Sequence, residues 1–471
     1  MKRRGAVLLF AVAAAVGLYG VPAGAAGSHD AHGHVLIVDK DAHHRRTCYG
    51  KHRRVFPTIQ LAVNAADSGN TIKVCPGTYT ETVIVGKPDL TILGANAGRD
   101  ATGRWRGPES IVQGTPGKNG LGVVQLGAND ITWDGFTIQG VSGALTNSPG
   151  MYTSPAFSGY LVRDTIFEEN GSGIHLGASG DHPTVVCRNR FTTNNEFEGP
   201  TGAFGIYSDD RAREVLITSN LFEGHNGAAV FLADTDAERR DVLIEHNTSV
   251  DDRTFASLFN SKRVRLTSNH IQARLLVPFD PEKATSAIFI GARNDDIVVQ
   301  KNKITSAGGN GIDISNTNGE QVSGIAPTNV IVRKNKVRNT QLSGIAVSAT
   351  AVGYQVLGNR SLANTLHGLH FADGTQGGTV AGNTALDNKG VDCKDESTAL
   401  PKNTWTDNVG RTFDPDGICT APIPALDAHA DHHGNTHDKW KSKKHKQHHK
   451  KMKKQKKHRP DPCACTLPWR F

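Results

Sequence analysis

From about Asp130 to Lys394 the chain alternates apolar and polar residues in short bursts, and the bursts recur in a fixed order. An alternating run ends in Asn or Asp, a few turn residues follow, and then comes Gly-Ile-polar-Ile or a close variant. Residues 214–234, 296–315, 329–348 and 354–373 are plain copies. Anchored on the Asn that closes the first run, the series is Asn189, Asn220, Asn247, Asn269, Asn302, Asn335, Asn359 and Asn383, with Asp164 and Asp134 continuing it upstream. The spacings of 31, 27, 22, 33, 33, 24 and 24 residues are unequal while the core wording is constant. That combination predicts constant strands joined by variable loops, the pattern of a parallel β-helix.

Within each copy the alternation has period two, as in a half-buried strand. Val215/Ile217, Val242/Ile244, Val264/Leu266 and Val330/Val332 are the predicted inward pairs. One coil cannot bury its apolar face alone, so successive coils must stack about 4.8 Å apart into one core. The recurring Asn then falls at a corner, where its amide can bond the equivalent residue one coil up and one coil down. Such a ladder allows a sharp bend to bury a polar group with its partners.

The third residue of Gly-Ile-polar-Ile faces outward, which projects His175, Tyr207, Phe231, Phe289, Asp313, Ala346, His370 and Asp392 along one face. Tyr207, Phe231, Leu258 and Phe289 are expected to form an apolar stripe over about four coils. Such a stripe either offers a platform for pyranose rings or is covered by a loop. Beside it fall charged loop starts: Asp209-Asp210-Arg211, Asp234-Thr235-Asp236, Asp251-Asp252-Arg253 and Lys262-Arg263. Close carboxylates bind a hard cation such as Ca²⁺, share a proton in acid–base work, or simply cap solvated turns. Asp209, Asp210, Asp234 and Asp236, with Arg253 or Lys262 as base, are the catalytic candidates; His175, Tyr207, Phe231, Phe289 and Asp313 are the substrate-binding candidates.

The flanks differ in kind from the repeats. Residues 1–26 read as a secretory signal, with Lys2-Arg3-Arg4, an apolar stretch from Ala6 to Tyr19 and Ala23-Gly24-Ala25 as cleavage site. Residues 27–54 are His-rich, residues 55–419 hold the predicted β-helix, and residues 420–471 form a Lys/His-rich tail. The tail carries 11 Lys and Arg459 between residues 439 and 460, a charge of +12, against a total of +8. Subtracting this block and the +3 of the signal leaves −7 (8 − 12 − 3), so the folded body is mildly acidic. A like-charged block of this kind is expected to be disordered and to attract anionic wall polymer, extracellular nucleic acid or acidic polysaccharide. It gives no support for sequence-specific nucleic-acid binding. Eight of the 21 His lie in 429–458 and six in 29–52. His429, His432, His433 and His437 are candidate ligands for Zn²⁺ or Cu²⁺, set against merely adventitious affinity.

Seven cysteines suit an oxidising compartment. The expected pairs are Cys48 with Cys75 and Cys393 with Cys419, one near each end of the stack; Cys463 and Cys465 form a C-x-C, and Cys187 is left odd. No second long apolar run follows the signal, so the mature chain is expected to be secreted, or associated with the cell wall, without a membrane span.

Ile59, Ala62, Val63 and Ala66 recur at helical spacing, and this short helix is expected to cap the open end of the stack. Residues 56–94, with the F-x-T-I-Q-x-A-V helix, the V-x-P-G-T-Y-x-E turn and the L-T-I-x-G strand, resemble the opening of the pectate-lyase-like β-helix superfamily, most closely its pectin-methylesterase branch. The resemblance covers about residues 55–415. It implies an all-β, right-handed parallel β-helix solenoid, secreted and often acting on acidic polysaccharides. The two aspartate segments of pectin methylesterases are absent, and the polygalacturonase motifs occur only as fragments in the wrong order. Three functions stay open: binding of extracellular or wall polysaccharide, a lyase or hydrolase of uronic-acid polymers, and metal handling by an exported β-helix.

Overall fold

The computed structural model describes residues 34–42, 46–51, 54–103, 105–115, 121–141, 148–195, 203–233, 241–316, 325–348, 350–422 and 463. The signal segment, Asp234, Asp236 and the four histidines from His429 to His437 lie outside them.

Each coil contributes one strand to each of three parallel sheets, in a fixed order. Val215–Thr218 belongs to sheet 1, Leu221–Glu223 to sheet 2 and Ala228–Ala233 to sheet 3, and Val242–Glu245 then returns to sheet 1. Among the described residues the sheets hold 15, 12 and 13 strands, enough to make one continuous solenoid. The inward pairs are where the alternation puts them: Val215, Ile217, Val242, Ile244, Val264, Leu266 and Val332 are fully buried. Phe167, Phe191 and Phe222 stack inside sheet 2 at 4.9 and 4.8 Å. This stack explains the glycine near the start of two sheet-3 strands, Ser172–His175 and Phe204–Ser208. A Cβ at Gly173 would come within 2.5 Å of the Gly205 carbonyl and 2.6 Å of Phe191, and one at Gly205 within 2.7 Å of Phe222.

The corner between sheets 1 and 2 carries the asparagine ladder. The Asn220 Oδ1 accepts the Asn189 backbone N–H at 2.9 Å and its amide at 3.1 Å, and the motif repeats through Asn383 to Asn408. Each amide also donates to a strand carbonyl, as Asn247 Nδ2 does to Ile217 at 2.9 Å. The residue before each Asn sits at φ near +55°, including Arg188, Ser219, His246, Ser268, Lys301 and Lys334. Side chains rarely adopt that conformation unless surrounding bonds hold it.

Asp164 and Asp134 do not extend the ladder. Register pairs Asp134 with Arg163 and Arg163 with Cys187, so the upstream ladder position falls on Thr165, whose N–H reaches Asn189 at 2.9 Å. The two aspartates sit off that position and take ion pairs from Arg163 and Arg188. A second ladder lies five residues further on, at the corner between sheets 2 and 3. It runs Asn170, Asn194, His225, Asp252 and later Thr340, Asn364, Asn388. His225 and Asp252 are both fully buried, 2.6 Å apart. Burial is tolerable because each also bonds the ladder: Asn194 meets His225 Nε2, and Ser249 donates to Asp252.

At the N-terminal end, Ile59–Ala65 is the capping helix. Thr58 is its N-cap, and its side chain accepts the Leu61 N–H. Both oxygens of Glu81 accept helix N–H groups, from Ile59 at 2.8 Å and Gln60 at 2.9 Å. The glutamate of the V-x-P-G-T-Y-x-E turn therefore anchors the cap, at the positive end of the helix.

Three disulfides form: Cys48–Cys75, Cys393–Cys419 and Cys187–Cys463. The first two are the expected pairs. The third corrects the expectation that Cys187 is odd. Its side chain projects from the outer face of sheet 1, where a segment remote in sequence reaches it. Disulfides of this number belong to an extracytoplasmic protein. Among the described residues no helix is long and apolar enough to cross a membrane.

Candidate functional site

Parallel pairing of sheet 3 brings one outward row into exact coil-by-coil register. It reads Gln125, Tyr152, His175, Tyr207, Phe231, Ser257, Phe289, Asp313, Ala346, His370 and Lys394. Neighbours in such a row are about 4.8 Å apart, close enough for rings to touch. Tyr152 and His175 meet edge-on at 5.5 Å, His175 and Tyr207 at 5.2 Å, and Tyr207 stacks on Phe231 at 5.3 Å and 8°.

Two positions differ from the projection. Leu258 is in the core, and Ser257 takes its place in the row. Phe259, the next outward residue, bridges the gap at 5.6 Å from Phe231 and 5.5 Å from Phe289. Asp392 is buried at the second ladder, accepting from Asn388 and from the Arg411 N–H, so Lys394 stands in the row instead. The rings from Tyr152 to Phe289 are half-buried, and Phe204 packs beneath Tyr207 and Phe231. The result is a continuous ledge of six rings, longer than the four-residue stripe expected.

Asp209 joins the middle of the ledge. Its Oδ1 lies 2.9 Å from His175 Nε2, and its Oδ2 accepts the Tyr207 hydroxyl at 2.9 Å. Burial works against its charge, but the His175 contact and the Tyr207 hydroxyl outweigh burial and hold the carboxyl below its ordinary value. The contribution of this carboxylate to stability is therefore present above the ordinary carboxylate range and lost as pH falls through the depressed value.

The other catalytic candidates are scattered. Asp210 turns to its own loop and accepts the Arg211 N–H at 2.7 Å. Arg253 precedes a sheet-3 strand, and its guanidinium donates to the Lys283 carbonyl at 3.2 Å. Lys262 follows that strand on the sheet-1 side and pairs with Asp295 at 2.9 Å. The strand between them, Thr254–Phe259, spans roughly 17–20 Å at about 3.3 Å per residue, so they do not share one site. Asp251 pairs with Arg274 and Asp252 with buried His225. Asp251–Arg253 precedes a sheet-3 strand, whereas Asp209 and Lys262 follow one, two coils apart, which is why proximity in sequence misled. Among the described residues no group of three or more His, Cys, Asp or Glu is placed to hold a metal ion; Asp234 and Asp236 of the expected Ca²⁺ cluster lie outside them.

Past Phe289 the row becomes polar. Asp313 accepts from Asn310 at 3.0 Å, Ser286 at 3.1 Å and Ser348 at 3.5 Å. Burial nonetheless pushes its carboxyl above the ordinary value. His370 lies 3.3 Å from Glu396, and Lys394 bonds Asp414 at 2.5 Å. The sign for Asp313 is opposite to that for Asp209. The contribution of Asp313 to stability is fully present below the ordinary carboxylate range and is lost as pH rises through the raised value. Asp313→Asn is expected to raise stability at neutral pH and to flatten this decline, as read by thermal melts from pH 4 to 8.

Phe259 was missed because it does not stand at the third residue of a Gly-Ile-polar-Ile copy, and Tyr152 because its copy, Gly150-Met151-Tyr152-Thr153, has Met and Thr in place of the two Ile. Period-two counting from Ser257 would have found Phe259.

Residues 191–385 match the family model described as "Right handed beta helix region". This protein is a right-handed parallel β-helix. No curated protein matches the chain. Among solved structures it is similar to the DFA-IIIase of Arthrobacter chlorophenolicus A6, at 14% identity, over 75% of this chain and 94% of that one, with a TM-score of 0.44. It is also similar to the A-module of the mannuronan C-5 epimerase AlgE4 of Azotobacter vinelandii, at 15% identity, over 75% of this chain and 83% of that one, TM-score 0.36. The periplasmic alginate epimerase AlgG matches at 12% identity, over 73% of this chain and 70% of that one, TM-score 0.36.

Proposed function

We propose that this β-helix is a secreted protein that binds an extended extracellular or wall polysaccharide along the outer face of sheet 3. The observation that carries the reading is the ledge of rings from Tyr152 to Phe289. Its centroid spacings of 5.2 to 5.6 Å make an unbroken aromatic surface. A pyranose presents an apolar C–H face, and a row of half-buried rings is suited to stack against several in succession. Mature protein tested by affinity electrophoresis against uronate and neutral polysaccharides is expected to be retarded by at least one extended polymer. Uniform mobility across a broad panel overturns the reading.

A second reading, bond cleavage in a uronic-acid polymer, is favoured by the shared carboxylate of Asp209. An imidazole and a phenol held by one ionised carboxylate, on the exposed side of the ledge, are the groups that general acid–base work requires. With Nε2 committed to Asp209, the Nδ1 of His175 makes no hydrogen bond among the described residues. Unsaturated products seen by ultraviolet absorbance would identify a lyase, and new reducing ends without them a hydrolase. Under either outcome His175→Gln and Tyr207→Phe are expected to lower turnover at least about 100-fold with binding retained. Equal turnover by both variants removes this site from the chemistry.

The metal-handling reading depends on the terminal histidines, which lie outside the described residues. It predicts loss of the main activity when residues 421–471 are removed.

A further inference from the structure

Early in the solenoid, arginines beside the corner of sheets 1 and 2 are answered by acids of a neighbouring coil. Arg163 pairs with Asp134, Arg188 with Asp164 and Arg190 with Glu223. Further along, the same corner carries cations that nothing answers. Lys301 and Lys303 flank Asn302, Lys334 and Lys336 flank Asn335, and Arg360 follows Asn359. Parallel pairing sets Lys303, Lys336 and Arg360 in one outward row of sheet 2 that begins at His270, and Arg338 lies on the same strand as Lys336. All of these residues are exposed. None of the Lys and Arg side chains among them makes an ion pair or hydrogen bond among the described residues. The described residues from Ile297 to Ile312 and from Ile325 to Phe371 contain no Asp or Glu.

Neighbours in such a row are about 4.8 Å apart, and like charges placed opposite one another destabilise a sheet. The asparagine ladder keeps them from spreading. Asn302 donates to Asn335 from its backbone N–H at 2.9 Å and its amide at 3.1 Å, and Asn335 donates to Asn359 in turn. Lys301 and Lys334, at φ 56° and 55°, are fixed on the turn beside it. Burial and the Lys303 charge together hold the His270 imidazole below its ordinary value. A rigid, unneutralised row on a mildly acidic body favours an anionic partner, which relieves the repulsion.

We infer that the corner of sheets 1 and 2, from His270 to Arg360, binds a linear acidic polysaccharide along the solenoid axis, its carboxylates meeting Lys303, Lys336 and Arg360 in turn. The coil spacing is comparable to the length of one pyranose along its chain, so a polymer with one carboxylate per ring offers one charge per coil. The four positions span about 14 Å. Single-stranded nucleic acid is held by cations interleaved with stacking rings. The strands of sheets 1 and 2 in these coils hold no Phe, Tyr or Trp. The row lies on a different sheet from the aromatic ledge, so the inference does not depend on what sheet 3 binds.

Lysine acetylation, read site by site by mass spectrometry on the full chain, separates this corner from the basic C-terminal block. With polygalacturonate at low salt, Lys303 and Lys336 are expected to acetylate at least about fivefold more slowly, with the protection fading at high salt. Lys40 and Lys51, exposed at the N-terminal end, should react at unchanged rates. Replacing Lys303, Lys336 and Arg360 by Gln is expected to remove the protection of Lys301 and Lys334, with a thermal melt showing the fold retained. Unchanged rates at Lys303 and Lys336, at polymer concentrations that protect the lysines of 439–460, overturn the inference. Protection by single-stranded DNA or polyphosphate but not by polygalacturonate overturns it as well.

Discussion

Replacing Tyr207 and Phe231 together by Ala is expected to weaken binding of an extended glycan by at least about 30-fold, or roughly 2 kcal/mol. The two rings are stacked 5.3 Å apart at the centre of the ledge, each also against Phe204. Truncating both opens a gap that separates Tyr152 and His175 from Phe259 and Phe289. The fold should survive, because the inward residues of the same strands, Ile206, Val230 and Leu232, are untouched and fully buried. Titration of the double variant by calorimetry, with a thermal melt as control, checks this. Unchanged affinity in a folded double variant would place the binding surface elsewhere. Tyr207→Phe separates stacking from chemistry, since it keeps the ring and removes only the hydroxyl that Asp209 accepts.

Asn247→Ala is expected to cost about 3–5 kcal/mol of stability, as several buried polar groups lose partners at once. Asn247 Oδ1 accepts both the backbone N–H and the amide of Asn220 at 3.0 Å, and its own amide donates to Ile217 and Asn269. All of these lie in the dry interior of a corner where His246 is held at φ 53°. The loss sits in the middle of a one-dimensional stack, so it should also divide the unfolding transition instead of merely shifting it. Urea denaturation followed by circular dichroism reads both effects. A loss below about 1 kcal/mol would mean that water replaces the ladder at little cost.

The repeat was legible in the sequence because its period-two alternation and its Asn have one stable use, a stack whose corners must satisfy themselves. The second ladder was equally present, five residues after the first at Asn194, Asn364 and Asn388, but His225, Asp252 and Thr340 interrupt it and disguise the pattern. The candidate site was only half legible. His175, Tyr207, Phe231, Phe289 and Asp313 follow from counting along strands, and register places them in one outward row. Asp210, Arg253 and Lys262 do not join Asp209: Asp210 turns into its own loop, Arg253 stands at the opposite end of sheet 3, and Lys262 lies two coils further on, paired with Asp295.

Sequence alone determined the coil, its inward positions, the corner asparagines and two of the three disulfides. Each of these is local, or repeats with a neighbour one coil away. The tertiary structure decided what depends on distance through space. It matched Cys187 with Cys463 across 276 residues, turned Ser257 and Phe259 outward where Leu258 was expected, and joined His175, Asp209 and Tyr207 through one carboxylate. Alternation specifies which side of a strand a residue faces, but not how far a loop of unknown path carries the next one. Only the stacked coils supply that distance.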